Sequence, residues 1–136
     1  MPGQFYRSSN GLNDFIEGPV LFNKNMRHSA LVIRENLLHV FWTQAGDSPE
    51  RIYMSSVDVS KDWMSWKESE PVEVLRPQKK WEGAELEVSK SKRGHINERV
   101  NQLRDPAIYE ENGKVYLLYA VAGEHGIAIT EIQFNP

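Results

Sequence analysis

Residues 101–124 read NQLRDPAIYEENGKVYLLYAVAGE, and residues 25–47 read NMRHSALVIRENLLHVFWTQAGD. At an offset of 77 residues, Arg27 falls on Arg104, Ala30 on Ala107, Leu31 on Ile108, Trp42 on Tyr119, and Ala45-Gly46 on Ala122-Gly123. Asp47 meets Glu124. Identities are few, so the shared pattern carries the comparison. Each copy has a polar pair, an apolar run, a tight polar break, a second apolar run and then Ala-Gly-acid. An internal repeat of this kind has to be weighed before any single-domain fold is assigned.

The runs read as strands. In the second copy the break is Asn112-Gly113, the favoured pair for a tight hairpin because both residues tolerate positive φ. In the first copy the break is Arg34-Glu35-Asn36. A third strand follows each Ala-Gly-acid, over 51–59 (RIYMSSVDV) and 126–134 (GIAITEIQF), and the first copy adds a fourth over 66–75. Helical periodicity is scarce, with one candidate at 84–93. Three or four antiparallel strands joined by short turns form a meander, and two meanders in tandem have the layout of β-propeller blades. A β-sandwich is the competing arrangement. The reading is therefore all-β, a single domain over 1–136 with blade one at 25–75, blade two at 101–134, a lead-in at 1–24 and a long loop at 76–100. The lead-in strand QFYRSS, residues 4–9, is expected to fill the fourth place of the second meander, in its own chain or in a neighbour's. Propellers close with roughly four to eight blades, so two blades predict a homo-oligomer.

Composition narrows the function classes. The chain has 136 residues, 40% hydrophobic and 26% charged, with net charge −3 and no cysteine. Disulfides and thiolate metal sites are excluded. No apolar run is long enough to span a membrane, and MPGQFYRSSNG lacks the layout of a signal peptide; a cytoplasmic protein is expected. The acidic balance argues against nucleic acid as a partner. The four histidines show no metal-ligand spacing, and no cofactor is implied. No glycine-rich phosphate loop or nucleophile elbow occurs.

Blade geometry sorts the polar residues by end. The start of a first strand, the turn after a second and the linker between blades share one end of the sheet. Arg27, His28 and Asp47 therefore join Arg104, Asp105 and Glu124 there, together with the loop at 76–102. That loop exceeds the usual length of unstructured connections and holds Trp81 and Glu82. It reads either as a solvated loop or as a flap over the site, with Trp81 as an apolar platform and Glu82 as a carboxyl beside it. In Arg104-Asp105-Pro106, Pro106 suits a strand start and biases Asp105 toward an extended backbone. Trp42, Tyr116 and Tyr119 are expected in the core, and Trp63 and Trp66 in packing.

The stretch LRDPAIYEENGKVYLLYA, carrying Arg104-Asp105-Pro106, resembles a blade opening of the five-bladed β-propeller glycoside hydrolases, the arabinanase, xylosidase, invertase and levansucrase group. FYRSSNGLNDFIEGPVLF resembles the last strand of such a blade and its exit. The resemblance implies a carbohydrate ligand, with Asp105 in the substrate-positioning role and Glu82, or Glu17, as the acid. Arg104, Arg27, His28, Trp81, Asp47 and Glu124 would line the substrate. That chemistry needs two carboxyls flanking the scissile bond. His28 stands in the repeat-equivalent place of Asp105, and the family's first-blade aspartate has no counterpart, so hydrolysis would need a carboxylate from a neighbouring chain. The alternative is a non-catalytic module derived from blades, which assembles or binds a protein partner and in which Arg104 and Asp105 are structural pins.

Overall fold

A computed structural model describes residues 3–134; Met1 and Pro2 of the lead-in, and Asn135 and Pro136, lie outside the described residues. Nine antiparallel strands form three sheets. Strands β1 (Gly3–Arg7) and β2 (Ile16–Leu21) make a hairpin. Strands β3 (Met26–Arg34), β4 (Leu37–Gln44), β5 (Ile52–Asp58) and β6 (Val72–Leu75) form a four-stranded meander in chain order. Strands β7 (Arg104–Glu111), β8 (Lys114–Ala120) and β9 (Ile127–Ile132) form a three-stranded one. The protein is all-β and antiparallel, and neither a closed barrel nor a closed propeller is formed by the described residues.

The sheets stack as layers, with the four-stranded sheet in the middle. One apolar cluster joins it to the three-stranded sheet through Ala30, Val32, Phe41, Ile52, Leu117 and Tyr119. A second joins its other face to the hairpin through Leu21, Leu38, Val40, Trp42 and Val57. This explains the burial of β4, where residues 38–43 are buried without alternation: both faces of the strand are covered. In β8 burial alternates strictly, because only one face of the last sheet is covered. The other face nevertheless carries Tyr109, Tyr116, Leu118, Ile127 and Ile129, with Ile127 79% and Ile129 58% exposed.

The two copies match in backbone as well as in letters. His28 and Asp105 both have φ 48°, Glu35 and Asn112 have 53° and 51°, and Gly46 and Gly123 have 97° and 82°. The first pair sits at register shifts in β3 and β7, where a bulge adds a residue and re-aims its side chain. Asp105 is therefore left-handed rather than extended as its following proline predicts. Strands β3 and β7 pack against each other, so the two bulges meet.

Several expectations change. The lead-in strand pairs with β2, from Gly3↔Leu21 to Arg7↔Ile16, and not with β9; Gly18 and Pro19 gave β2 little strand signal. The 84–93 helix does not form. Gly83 at φ 90° stops the short 3₁₀ turn of Lys80–Glu82, and the backbone that follows bonds to strand ends instead. The fourth strand of the first meander is confined to Val72–Leu75, preceded by a Val57↔Glu68 bridge. As expected, Trp42 and Tyr119 are buried and Trp63 packs edge-on to Trp66. Tyr116, expected in the core, is only half-buried against Tyr109 on the uncovered face of the last sheet, because it alternates with the inward Val115 and Leu117.

Candidate functional site

The starts of β3 and β7 converge on one buried carboxylate. Glu50, whose side chain is wholly buried, accepts two hydrogen bonds from Arg27, Nε to Oε1 at 2.9 Å and the terminal nitrogen to Oε2 at 3.0 Å. Arg104 approaches Oε2 from the other repeat at 3.4 Å. Arg104 also donates to Glu124 Oε1 at 2.8 Å and to Gln102 Oε1 at 2.7 and 3.1 Å. Two repeat-equivalent guanidiniums thus share one acid, and planar forked donors are the groups suited to it. Burying this many charges is tolerable only because each is paired and hydrogen-bonded.

Beside this cluster, one residue further along each strand, lies the exposed chemistry. His28 Nε2 stands 3.3 Å from Asp105 Oδ1, and His28 Nδ1 stands 3.2 Å from Thr43 Oγ1. With its proton on Nε2 the ring donates to Asp105 and leaves Nδ1 to accept from Thr43. The Asp105 side chain is 49% exposed and that of His28 27%. Burial is the main influence on His28 and pushes its pKa below the ordinary 6.5; Arg27 and Arg104 push the same way, against Asp105 and Glu50. The imidazole is therefore neutral at pH 7. A neutral ring beside a carboxylate offers both hydrogen-bond donation and acceptance at the surface.

The long loop is a strap over this end. Ser91 is buried, donates its N–H to Asp47 O at 2.8 Å, and accepts from Gly46 N at both its carbonyl and its hydroxyl. Arg27 reaches Lys92 O at 3.0 Å and Arg104 reaches it at 3.5 Å. Arg93 donates to Lys24 O, and His125 Nε2 lies 2.9 Å from Asn97 O. Residues 91–93 are held at this end, whereas Trp81 and Glu82, which the flap reading set beside the site, are placed apart from it.

The structure brings Arg27, His28, Arg104, Asp105 and Glu124 together and places the others apart. Asp47 is at the same end but is held by Tyr53 Oη at 2.6 Å and Gln44 at 3.0 Å. Glu82 is buried, accepting from Gln78 N, Lys79 N and Tyr119 Oη, and shares no ion pair or hydrogen bond with Arg104 or Asp105. Burial and this carboxylate lift the Tyr119 hydroxyl to about 12. Trp81 is half-exposed next to it. Glu17 lies in β2, in the hairpin sheet. Glu50, Gln102 and Thr43 were missed. Glu50 sits in a polar turn, SPERIY, and only the matching of Arg27 to Arg104 hinted that two buried cations would need an anion.

An apolar cleft of about 660 Å³ opens elsewhere, at the far end of β3 from His28, lined by Glu35, His39, Phe41, Val74 and Phe134. His39 there bonds Ser56 at 2.8 Å and stacks on Phe134, a paired strand residue as its position suggested. Arg34 and Glu35 also line the cleft, with Arg34 paired to Glu110, but the Asp105 end gathers groups from both repeats around one buried acid and is taken as the candidate site.

Fold and site together define an all-β antiparallel protein with two repeat-related strand starts meeting over a buried Arg–Glu–Arg cluster. An uncharacterized protein of Acanthamoeba polyphaga mimivirus is 37% identical to the chain over 142 residues, which cover 93% of this chain and 40% of the relative. The chain thus spans about two-fifths of the length of the curated relative it matches. No family model and no solved structure matches the chain. Among the described residues, no helix is long and apolar enough to cross a membrane.

Proposed function

We propose that the chain is a pair of β-propeller-type blades that binds a polyhydroxylated ligand of the carbohydrate class at the Asp105–His28 end. The observation that carries the reading is the 3.3 Å approach of His28 Nε2 to Asp105 Oδ1 at matching bulges of two adjacent inner strands. In a propeller the inner strands surround the axis, so groups re-aimed there face a common ligand. The layered sheets support the blade assignment. An exposed carboxylate and a neutral imidazole suit sugar hydroxyls, which donate and accept. Hydrolysis requires a second carboxyl across the bond. Glu82 is committed to its backbone and tyrosine partners, so this chain by itself is assigned binding. Titration of a panel of oligosaccharides by calorimetry tests the assignment: some member must bind, and Asp105→Asn must abolish it. A panel with no binder rejects the reading.

The exposed apolar face of the last sheet favours a second reading, an assembly module. Contiguous apolar patches of this kind mark association surfaces. Copies joined through Ile127, Ile129 and Tyr109 would sediment as an oligomer, and Ile129→Lys would dissociate them. A monomer at every concentration removes this reading and also counts against the two-blade architecture of the first, which predicts a homo-oligomer.

A further inference from the structure

The strap that covers the candidate site is strongly basic. Residues 76–102 contain seven lysines and arginines against four glutamates, a net +3 within a chain whose total is −3. Part of it is spent, Arg76 on Glu73 and Lys80 on Glu85, but the cations nearest the site are not. Lys24, Lys90, Lys92 and Arg93 form no carboxylate ion pair among the described residues, and Arg93 is used only to hold Lys24 O. They also gather at one place. Ser91 is pinned inward by Gly46 and Asp47, which leaves Lys90 and Lys92 exposed on either side of it. Lys90 Cε comes within 4.0 Å of the position a Cβ would take on Gly46. The Lys92 carbonyl is held by Arg27 and Arg104, the residues that precede His28 and Asp105. The two arginines are neutralised by Glu50 and Glu124. The free positive charge at this end therefore belongs to the strap.

We infer that the ligand is an anionic saccharide, whose hydroxyls meet Asp105 and His28 while its acidic group meets Lys90 and Lys92. The inference rests on the carbohydrate reading above and narrows it to sugars bearing carboxylate or sulfate. Both acidic groups present the same charge to an ammonium, which acts as a point charge rather than a shaped fork. An Asp105 carboxylate standing alone would repel such a ligand. The lysines without a carboxylate partner, on the strap held by Arg27 and Arg104, supply the opposite sign at this end, and at this exposure their attraction is screened by salt.

Calorimetry on the full chain separates the outcomes, with four probes at 50 and 300 mM salt: a uronate tetrasaccharide, a sulfated hexose tetrasaccharide, the neutral hexose tetrasaccharide and tripolyphosphate. The expected result is that one or both acidic sugars bind at least tenfold more tightly than the neutral one. That preference should shrink at high salt and in a Lys90→Gln/Lys92→Gln variant. These exposed changes should leave the melting temperature in place. Comparison of the uronate and sulfate arms identifies the acidic group. Equal affinity for neutral and acidic sugars overturns this inference and leaves the carbohydrate reading standing. Tight tripolyphosphate binding that survives Asp105→Asn overturns it as well, since the site would then recognise charge without sugar. Failure of all three sugars removes both.

Discussion

Arg27 and Arg104 occupy the same place in two repeats and close on the same carboxylate, that of Glu50, at 2.9 Å and 3.4 Å. The Glu50 backbone adds to the link, its carbonyl accepting from Leu103 N at 3.0 Å. Removing the acid would leave two buried guanidiniums facing each other, and breaking a buried pair from one side costs about 3–5 kcal/mol. Glu50→Gln should lower the melting temperature by roughly ten degrees or more at this chain length. Thermal unfolding followed by circular dichroism checks this, and a shift of under two degrees would refute the clamp.

Asp105 should behave differently. Its side chain is half-exposed and its polar partner is His28. Asn tolerates the left-handed backbone that Asp105 adopts. Asp105→Asn is therefore expected to move the melting temperature by no more than about two degrees while eliminating saccharide binding. A larger loss of stability without a binding defect would make Asp105 a structural pin.

The fold should weaken in mild acid. Burial depresses the pKa of His28, and His39 is depressed as well, by burial and by Arg34. The unfolded chain then takes up protons first as pH falls past about 6.5, so stability present above that value is lost as pH drops toward the folded-state pKa. Urea midpoints measured at pH 7.5 and 5.5 should decline, and His28→Asn should reduce the decline. An unchanged slope in that variant would show that His28 does not titrate with folding.

Glu82 should be a residue of stability. Glu82→Gln exchanges a charged acceptor of two backbone N–H groups for a neutral one, and Tyr119→Phe removes the third donor. Each should cost about 1–2 kcal/mol without altering saccharide affinity. Spectrophotometric titration of the wild type should find two tyrosines, Tyr53 and Tyr119, ionising near pH 12. If Glu82→Gln keeps full stability but loses ligand, Glu82 belongs to the binding site.

Gly83 tests the strap. It has φ 90°, and a Cβ there would collide with the Val100 carbonyl oxygen, so Gly83→Ala is strained on two counts. The variant should lose stability and become open to proteolysis within 84–100. Wild-type resistance to digestion in that variant would show that the strap does not depend on this turn.

The strands were legible because their period and hairpins are local: Lys114–Ala120 alternates cleanly and Asn112-Gly113 marks its turn. The meeting of Arg27, His28, Arg104 and Asp105 was legible because the repeat places their strand starts at one end. Glu50 was not, since a lone acid in a turn has no pattern until two distant cations need it. Strand β2 was hidden by its glycine and proline, and with it the true partner of β1. The 84–93 segment looked helical by residue type, but its backbone groups go to the ends of other strands, which no local rule records. Glu82 looked available because a sequence does not reveal that a carboxylate is already occupied.

The shared acid has a consequence for how the molecule assembles itself. Stacked repeats ordinarily fold with some independence, each gaining from its neighbour in small steps. Here the shared glutamate lies in the first repeat, which keeps its own Arg27–Glu50 pair, whereas the second repeat cannot place Arg104 beside that acid unless the first is already formed. The boundary between the repeats is consequently not a line along which the protein can be cut. Unfolding is expected to couple the second repeat to the first, and a chain begun at residue 77 should remain without cooperative structure.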